Sequence, residues 1–429
     1  MCGIIGIYSN NKYYYSEVIN LLKLLQHRGK DAYGVSFFYN ERIFTNKIIG
    51  KVKSISKNEE IDIKSSIGQT KYSTSKAMLK YEYIQPIVSK DSSFALVHNG
   101  NIPNLNEFDT TYLVKYIENS KYKNFENKLI DLMNNVKVSY SIIILTSNNE
   151  LYALRDRYGI RPLCIGYKKE NFIVNSESYI FNRDEYIRDI KPGEIIKINN
   201  NGIDTIYNHR ESKLGICSFE LIYLMNENSM TDRNNISYLR DKLSLLLAKK
   251  DLDSNEINLV FNNDYIVIGI PSTGVLYGKC YANYLNLEYK QYIIKKTSER
   301  TFIDMDKNNI IKKCDNKFKY DENIKGKNII IVDDTIVRGN IIKSIIKHLK
   351  LFGANEIHVR IPSPPVVDIN QLGIAIHNKE ELIMNNKSIA DVEKEIGCDS
   401  LKYLNLNDIE RLFPKFSYNE CFGGNNKYE

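Results

Sequence analysis

No apolar run in this chain approaches the ~20 residues needed to span a bilayer, so a membrane-crossing helix is not expected. The amino terminus lacks a basic segment followed by an apolar core, so no secretory leader is expected. No tract of six or more positive residues occurs, which argues against a nucleic-acid-binding arm despite the net charge of +7. That mild basicity suits small anionic substrates. There is no Cys-x-x-Cys, and the seven cysteines (2, 164, 217, 280, 314, 398 and 421) are widely spaced and odd in number. A disulfide framework is not expected at this length, and a reducing cytoplasm is the default location. Internal repeats and low-complexity linkers are also missing. What remains is globular: 429 residues, 43% hydrophobic and 26% charged, which points to two or three domains.

The two halves read differently. In the first, Ile4–Tyr8, Ser141–Thr146 and Phe172–Val174 are β-rich and separated by short polar turns. A helix fits Tyr15–Leu25, with Val18, Leu21, Leu22 and Leu25 at helical spacing, and a second fits Thr110–Asn119. Lys191–Glu194 is a turn. This half is expected to be antiparallel sheet with a few helices. From Ile236 onward, apolar strands at Ile266–Ile270, Ile329–Val332 and Ile357–Ile361 alternate with helices at Ile236–Lys249, Val275–Tyr284 and Ile341–Phe352. That is the βαβ pattern of a parallel sheet. Residues 386–413 read as two short helices. The expected class is α+β followed by α/β, with units at 2–215 and 216–385 and a carboxy-terminal piece, 386–429, packed on the second.

Ile329 to Asn340 reads Ile-Ile-Ile-Val-Asp-Asp-Thr-Ile-Val-Arg-Gly-Asn. The β-branched run is a buried parallel strand, and the acidic loop after it lies at the strand's carboxyl end, where open α/β sheets bind ligands. Asp333 and Asp334 could hold ribose hydroxyls or a Mg²⁺. The N–H groups of the loop and of the next helix could hold a phosphate. A solvated acidic turn is the plainer reading of two adjacent acids. At the other end, Cys2 would carry both a thiol and a free α-amine once Met1 is removed. A free α-amine titrates near neutrality, at roughly 7.7–8.0, so it can take the thiol's proton without a histidine. Asn99-Gly100 can be read as a two-residue hairpin turn or as an amide plus a glycine N–H aimed at an oxyanion. His27-Arg28-Gly29 can be a helix cap or can place Arg28 against a substrate carboxylate.

Met-Cys-Gly-Ile-Ile-Gly, Leu25-Gln-His-Arg-Gly29, Tyr72-Ser-Thr74, His98-Asn-Gly-Asn101 and Arg155-Asp-Arg-Tyr-Gly-Ile-Arg-Pro-Leu163 resemble the N-terminal-nucleophile glutamine amidotransferases. The Ile329–Asn340 string resembles the loop of type I phosphoribosyltransferases that binds 5-phosphoribosyl-1-diphosphate (PRPP). With Cys217–Glu220, Arg300–Ile303 and Ile396–Leu401, the whole chain resembles the glutamine PRPP amidotransferases. The resemblance implies an αββα glutaminase sandwich followed by a transferase domain. It implies a Cys2 thioester, with Asn99 and Gly100 as the oxyanion hole and with Arg28, Lys71 and Asp109 binding glutamine. It implies that ammonia is channelled to Mg-PRPP, giving phosphoribosylamine in purine synthesis. PRPP would be bound by Thr273, Gly274, Asp333, Asp334, Thr335, Ile336, Val337, Arg338, Gly339 and Asn340, with Mg²⁺ near Thr273, Asp333 and Asp334. Pro271–Gly274 would be the pyrophosphate loop and Lys295–Ile303 a mobile loop. AMP or GMP feedback and a homodimer or homotetramer are compatible with it, whereas nucleic-acid or membrane partners are not implied.

The sequence departs from the family at Gln69 and Lys71, where histidine and arginine are usual, at Thr110-Thr111, at Ser272 in place of aspartate, and at Ala375. Lysine keeps the charge and loses the bidentate fork. Some members carry a [4Fe–4S] cluster on four cysteines. Cys217 and Cys421 match two positions, while the 368–371 stretch and Tyr418 offer no thiol, so no cluster is expected. The departures leave one alternative, a catalytically weak paralogue that binds PRPP or nucleotides as a regulator. Hexosamine- or asparagine-forming relatives have no use for the Asp333-Asp334 loop.

Overall fold

The computed structural model describes residues 2–55, 60–73, 79–103, 105–232, 234–254, 265–296, 317–374, 376 and 378–424. Two antiparallel sheets make the amino-terminal half. One has seven strands in the order Tyr186–Asp189, Cys164–Lys168, Asn171–Asn175, Gly3–Tyr14, Asp62–Lys71, Ala32–Tyr39 and Arg42–Ile49. The other has six: Gly202–Asn208, Glu194–Asn199, Leu151–Arg155, Ser139–Thr146, Phe94–Asn101 and Ile87–Val88.

The strand Ser139–Thr146 is buried at every position because its two faces meet different layers. Ile143 and Leu145 point between the sheets, among Ile4, Ile67, Val97 and Ala153. Tyr140, Ile142 and Ile144 meet Leu113 and Ile117 of the helix Asp109–Glu118 and Leu129 and Leu132 of the helix Phe125–Asn135. On the far side, Val18, Ile19 and Leu22 of the helix Tyr15–Leu24 pack on Ile5 and Val35. The layers are therefore helix, sheet, sheet, helix. The Phe125–Asn135 helix was not foreseen, because its apolar stripe is short and interrupted by Glu126, Asn127, Lys128 and Asp131. Asn124 starts it by accepting a hydrogen bond from the Asn127 N–H.

In the carboxy-terminal half, five parallel strands run in the order Glu288–Tyr289, Tyr265–Gly269, Asn328–Val332, Glu356–Ile361 and Ser400–Tyr403. Val267, Ile330 and Val332 face Leu243, Leu247, Tyr277 and Tyr281 of the helices Ile236–Ser254 and Gly274–Leu285. Ile266, Ile268, Ile329 and Ile331 face Ile342, Ile345, Ile346 and Leu349 of the helix Asn340–Leu351. Each of those four side chains contributes about 1.5–3 kcal/mol by leaving water. The two short helices expected after 386 are Ile389–Ile396 and Leu406–Glu410. Between them lies an unforeseen strand, Ser400–Tyr403, which joins the parallel sheet beside Glu356–Ile361.

The halves share one core. Ile160 from the first half sits in a cluster with Ile216, Leu372, Ile376 and Tyr418, and Val138 and Tyr158 pack against it. The connecting chain runs along the first half, with the N–H groups of Lys213, Gly215 and Cys217 donating to the carbonyls of Arg157, Tyr158 and Ile160. Among the described residues, no helix is long and apolar enough to cross a membrane.

Candidate active sites

The first site forms where the strand Gly3–Tyr14 begins. Cys2 is partly exposed, and its backbone nitrogen lies 3.4 Å from Asn99 Oδ1. Asn99 and Gly100 lie inside the strand Phe94–Asn101, opposite Ser141 and Tyr140. The hairpin reading of Asn-Gly is thus replaced by strand pairing: a tertiary partner overrides a local turn preference. Asn99 is buried, and its Nδ2 has no hydrogen-bond partner among the described residues. A buried amide N–H left unpaired costs free energy, and this one stands beside Cys2. Gly100 is required by close approach. A Cβ there would fall 2.2 Å from the Ser139 carbonyl and 2.3 Å from His98 Nε2.

Lys71 ends the strand Asp62–Lys71 and is buried. Its ammonium lies 4.5 Å above the Phe108 ring and donates to the Tyr83 carbonyl at 2.5 Å. Burial lowers its pKa, while Cys2, Asp109 and Asp31 act to raise it. Asp109 opens its helix, accepts from the Thr110 N–H at 2.7 Å, and has its other oxygen 3.5 Å from His98 Nδ1. Gln69, where the family has histidine, donates from Nε2 to the His98 carbonyl at 3.1 Å.

Arg28 behaves otherwise than expected. Its side chain is enclosed, and its donors are taken by the protein: Nε donates to the Cys2 carbonyl at 3.2 Å, one terminal nitrogen meets Glu177 Oε1, and the other meets both Glu220 oxygens at 2.8 and 3.0 Å. This guanidinium therefore ties the backbone carbonyl of Cys2 to Glu177 and Glu220. Burial would push Glu177 up, but Arg28 and His27 bring it down to about 2. Arg161 reaches Glu220 at 3.2 Å, so two arginines and two glutamates balance inside the interface. Glu177 gave no signal in the sequence. Glu220 stands in the Cys217–Glu220 motif, and its partners become visible only in three dimensions.

The second site lies at the carboxyl ends of the strands Asn328–Val332 and Tyr265–Gly269. Asp333 Oδ1 accepts from the Asp334 N–H at 3.0 Å, and Asp334 Oδ2 accepts from the Thr335 hydroxyl at 2.8 Å. Burial pushes both carboxyls above the ordinary carboxylate range, and for Asp333 the charge of Asp334 pushes further. The loop closes at Gly339, whose φ of +76° admits the chain to the helix Asn340–Leu351. Thr273 precedes the helix Gly274–Leu285, and the Pro271–Ser272 peptide is cis. A Cβ at Gly274 would lie 2.6 Å from the Val332 carbonyl and 3.1 Å from Asp333 Oδ1, so the two loops touch. Beside them a cavity of about 390 Å³ is lined by Pro271, Val275, Lys279, Gln291 and Lys295, among others. Ala375 and residues 297–303 of the expected mobile loop lie outside the described residues.

Asp333, half-buried, Asp334, buried, and Thr273, at the start of the adjoining helix, supply hard oxygen donors where the two loops touch. They fit a Mg²⁺ that arrives on a phosphate rather than one caged by protein alone. A four-thiolate cluster does not fit. Cys217 and Cys421 are buried near Tyr418 and Asn370, and those two are already hydrogen-bonded to the Leu372 and Gly373 N–H groups.

The comparisons agree with this geometry. Residues 74–183 match the glutamine amidotransferase domain, and residues 241–362 match the phosphoribosyl transferase domain. The chain is 30% identical to a chloroplastic amidophosphoribosyltransferase of Vigna aconitifolia, over 99% of this chain and 90% of the relative. It is 28% identical to the Bacillus subtilis amidophosphoribosyltransferase, covering 98% and 92% of the two chains. A solved structure of the B. subtilis glutamine PRPP amidotransferase complexed with ADP and GMP superposes with a TM-score of 0.85 at 26% identity, covering 99% and 97%. Fold and sites together define an amidotransferase, a glutaminase of the N-terminal-nucleophile class fused to a phosphoribosyltransferase. Within that class, the chain belongs to the amidophosphoribosyltransferases. It is a glutamine-dependent PRPP amidotransferase of purine biosynthesis.

Proposed function

We propose that residues 2–215 hydrolyse glutamine on Cys2 and that residues 216–385, with 386–429 packed on them, deliver the nitrogen to PRPP. The observation that carries this is Asn99 Nδ2 beside Cys2, without a hydrogen-bond partner among the described residues, in a chain that also holds two adjacent acids in a phosphate loop. Once Met1 is removed, the Cys2 α-amine takes the thiol proton and the sulfur attacks the side-chain carbonyl carbon of glutamine. Asn99 Nδ2 and the Gly100 N–H receive the oxyanion. Asp109 faces the substrate amine and Lys71 its carboxylate. Collapse expels ammonia and leaves a thioester, which water cleaves to glutamate.

In the transferase half, ammonia attacks C1 of PRPP, the bond from C1 to pyrophosphate breaks, and a proton leaves the new amine. Thr335 to Asn340 cradle the 5-phosphate with backbone N–H groups and the helix start. Thr273, Asp333 and Asp334 would hold Mg²⁺, which neutralises the departing pyrophosphate when bound. Cys2→Ala tests the division of labour. Glutamine-dependent product formation should vanish, while ammonia-dependent formation from PRPP persists. Loss of both in a folded variant defeats the assignment.

A further inference from the structure

We propose that Asn101, Ser139 and Arg161 are positioning residues through which the transferase half sets the geometry of the oxyanion strand. The proposal rests on the two-site reading above and goes beyond it by naming a connection. Asn101 ends the strand that carries Asn99 and Gly100, and it pairs with Ser139 on the neighbouring strand. Three consecutive carbonyls of the other half are gripped from here. The Asn101 side-chain amide donates to Gln371 O, the Ser139 hydroxyl to Leu372 O, and the Arg161 guanidinium to Gly373 O.

The gripped turn is fixed on its own side. The Gln371 N–H donates to Glu420 at 3.0 Å, the Leu372 N–H to the Tyr418 hydroxyl at 3.2 Å, and the Gly373 N–H to Asn370 Oδ1 at 2.7 Å. A side chain at Gly373 would strike Asn370 Oδ1 at 2.2 Å and Cys217 Sγ at 2.7 Å, so the turn has no slack. Further along the chain, Leu372, Ile376 and Leu382 lie in one core against which Val337 of the phosphate loop packs. The Ile383 N–H donates to the Val337 carbonyl at 2.9 Å, Glu381 pairs with Arg338, and Ile383 Cδ1 would sit 2.3 Å from a Cβ at Gly339. A second arm runs from Arg161 through Glu220 and Arg28 to the Cys2 carbonyl.

Through the described residues Gln371–Gly373, Ile376, Leu382 and Ile383, packed and hydrogen-bonded contacts therefore link the loop that receives the 5-phosphate to the strand that receives the oxyanion. Such material shifts between discrete arrangements instead of deforming smoothly. The chemistry gives the connection a use, because glutamine cleaved without an acceptor wastes its nitrogen. Contiguity alone does not establish coupling, so the measurement must read coupling itself.

In the full-length enzyme, glutamate release is measured with and without PRPP for the parent, Asn101→Ala, Ser139→Ala and the double variant. Ammonia-dependent product formation is measured on the same samples. Each substitution removes one hydrogen bond, so PRPP stimulation of glutamate release should fall by about threefold or more in the double variant. The ammonia-dependent rate should stay within about twofold of the parent, because the transferase groups are untouched. A merely structural role would lower both activities together. Full stimulation in the double variant overturns the proposal, as does a parent glutaminase indifferent to PRPP. If the double variant does not fold, full stimulation in both single variants overturns it. The two-site reading fails separately, and recognisably, if the parent releases no glutamate or makes no product from ammonia and PRPP.

Discussion

At the scale of single residues, the sites are defined by groups whose needs the protein leaves unmet. Asn99 Nδ2 has no hydrogen-bond partner among the described residues, and burial raises the pKa of Asp333 and Asp334. Lys71 was legible as a departure from the family. Its setting over Phe108 was not, because the two residues are 37 positions apart in the sequence. Lys71→Met should raise the KM for glutamine about 10- to 100-fold, the range expected on losing a charge-assisted hydrogen bond. Its ammonia-dependent kcat should be unchanged, and steady-state kinetics with each nitrogen donor checks this.

The acids give a pH dependence. A carboxyl raised in the folded state binds a proton that the unfolded chain has already lost. That contribution to stability is present at low pH and is lost as pH rises through the raised value. On the proposed role, holding Mg-PRPP requires both groups ionised, so binding would release protons. The KM for PRPP should fall as pH rises from mildly acidic to neutral, and thermal stabilisation by Mg-PRPP should grow in the same direction. A flat profile on both measures would refute the metal and ribose role of this pair.

At the scale of elements, periodicity sufficed wherever one face met one environment. The helix Asn340–Leu351 and the strands beside it were read within a residue or two, since isoleucines at helical spacing and β-branched runs answer to burial alone. The misses share a cause. The strand Phe94–Asn101 carries a turn dipeptide, and Ser400–Tyr403 is four residues long, so neighbouring strands rather than local preference decide both. The strand position of Gly100 has a consequence. Gly100→Ala places a methyl against the Ser139 carbonyl, which cannot give way without moving its strand. Glutaminase activity should drop by about 100-fold or more, the usual cost of a lost oxyanion donor, with ammonia-dependent transfer intact. An active glutaminase in that variant would remove Gly100 from the oxyanion hole.

At the scale of the molecule, the buried charges at the interface matter most. Arg28 and Arg161 share Glu220, and Arg28 also meets Glu177. Glu220→Gln removes the carboxylate that the enclosed Arg28 and Arg161 guanidinium groups share, while Glu177 still meets Arg28. Removing one member of such a set typically costs about 3–5 kcal/mol. The unfolding midpoint in denaturant should fall clearly in Glu220→Gln, and an unchanged midpoint would mean that water or relaxation satisfies the pair.

The sequence by itself determined the two-part architecture, the cysteine next to the first residue and the acidic loop after a buried strand. Each is written in contiguous residues, and short-range pattern or chain chemistry fixes its meaning. Only the tertiary structure decided that the Arg28 guanidinium is enclosed against Glu177, Glu220 and the Cys2 carbonyl, that Asn99 and Gly100 sit in a strand, and that three carbonyls of one half hang on side chains of the other. Those facts depend on which distant groups become neighbours once water is excluded. No local periodicity encodes them, because the partners of a buried charge or hydrogen bond are chosen by packing.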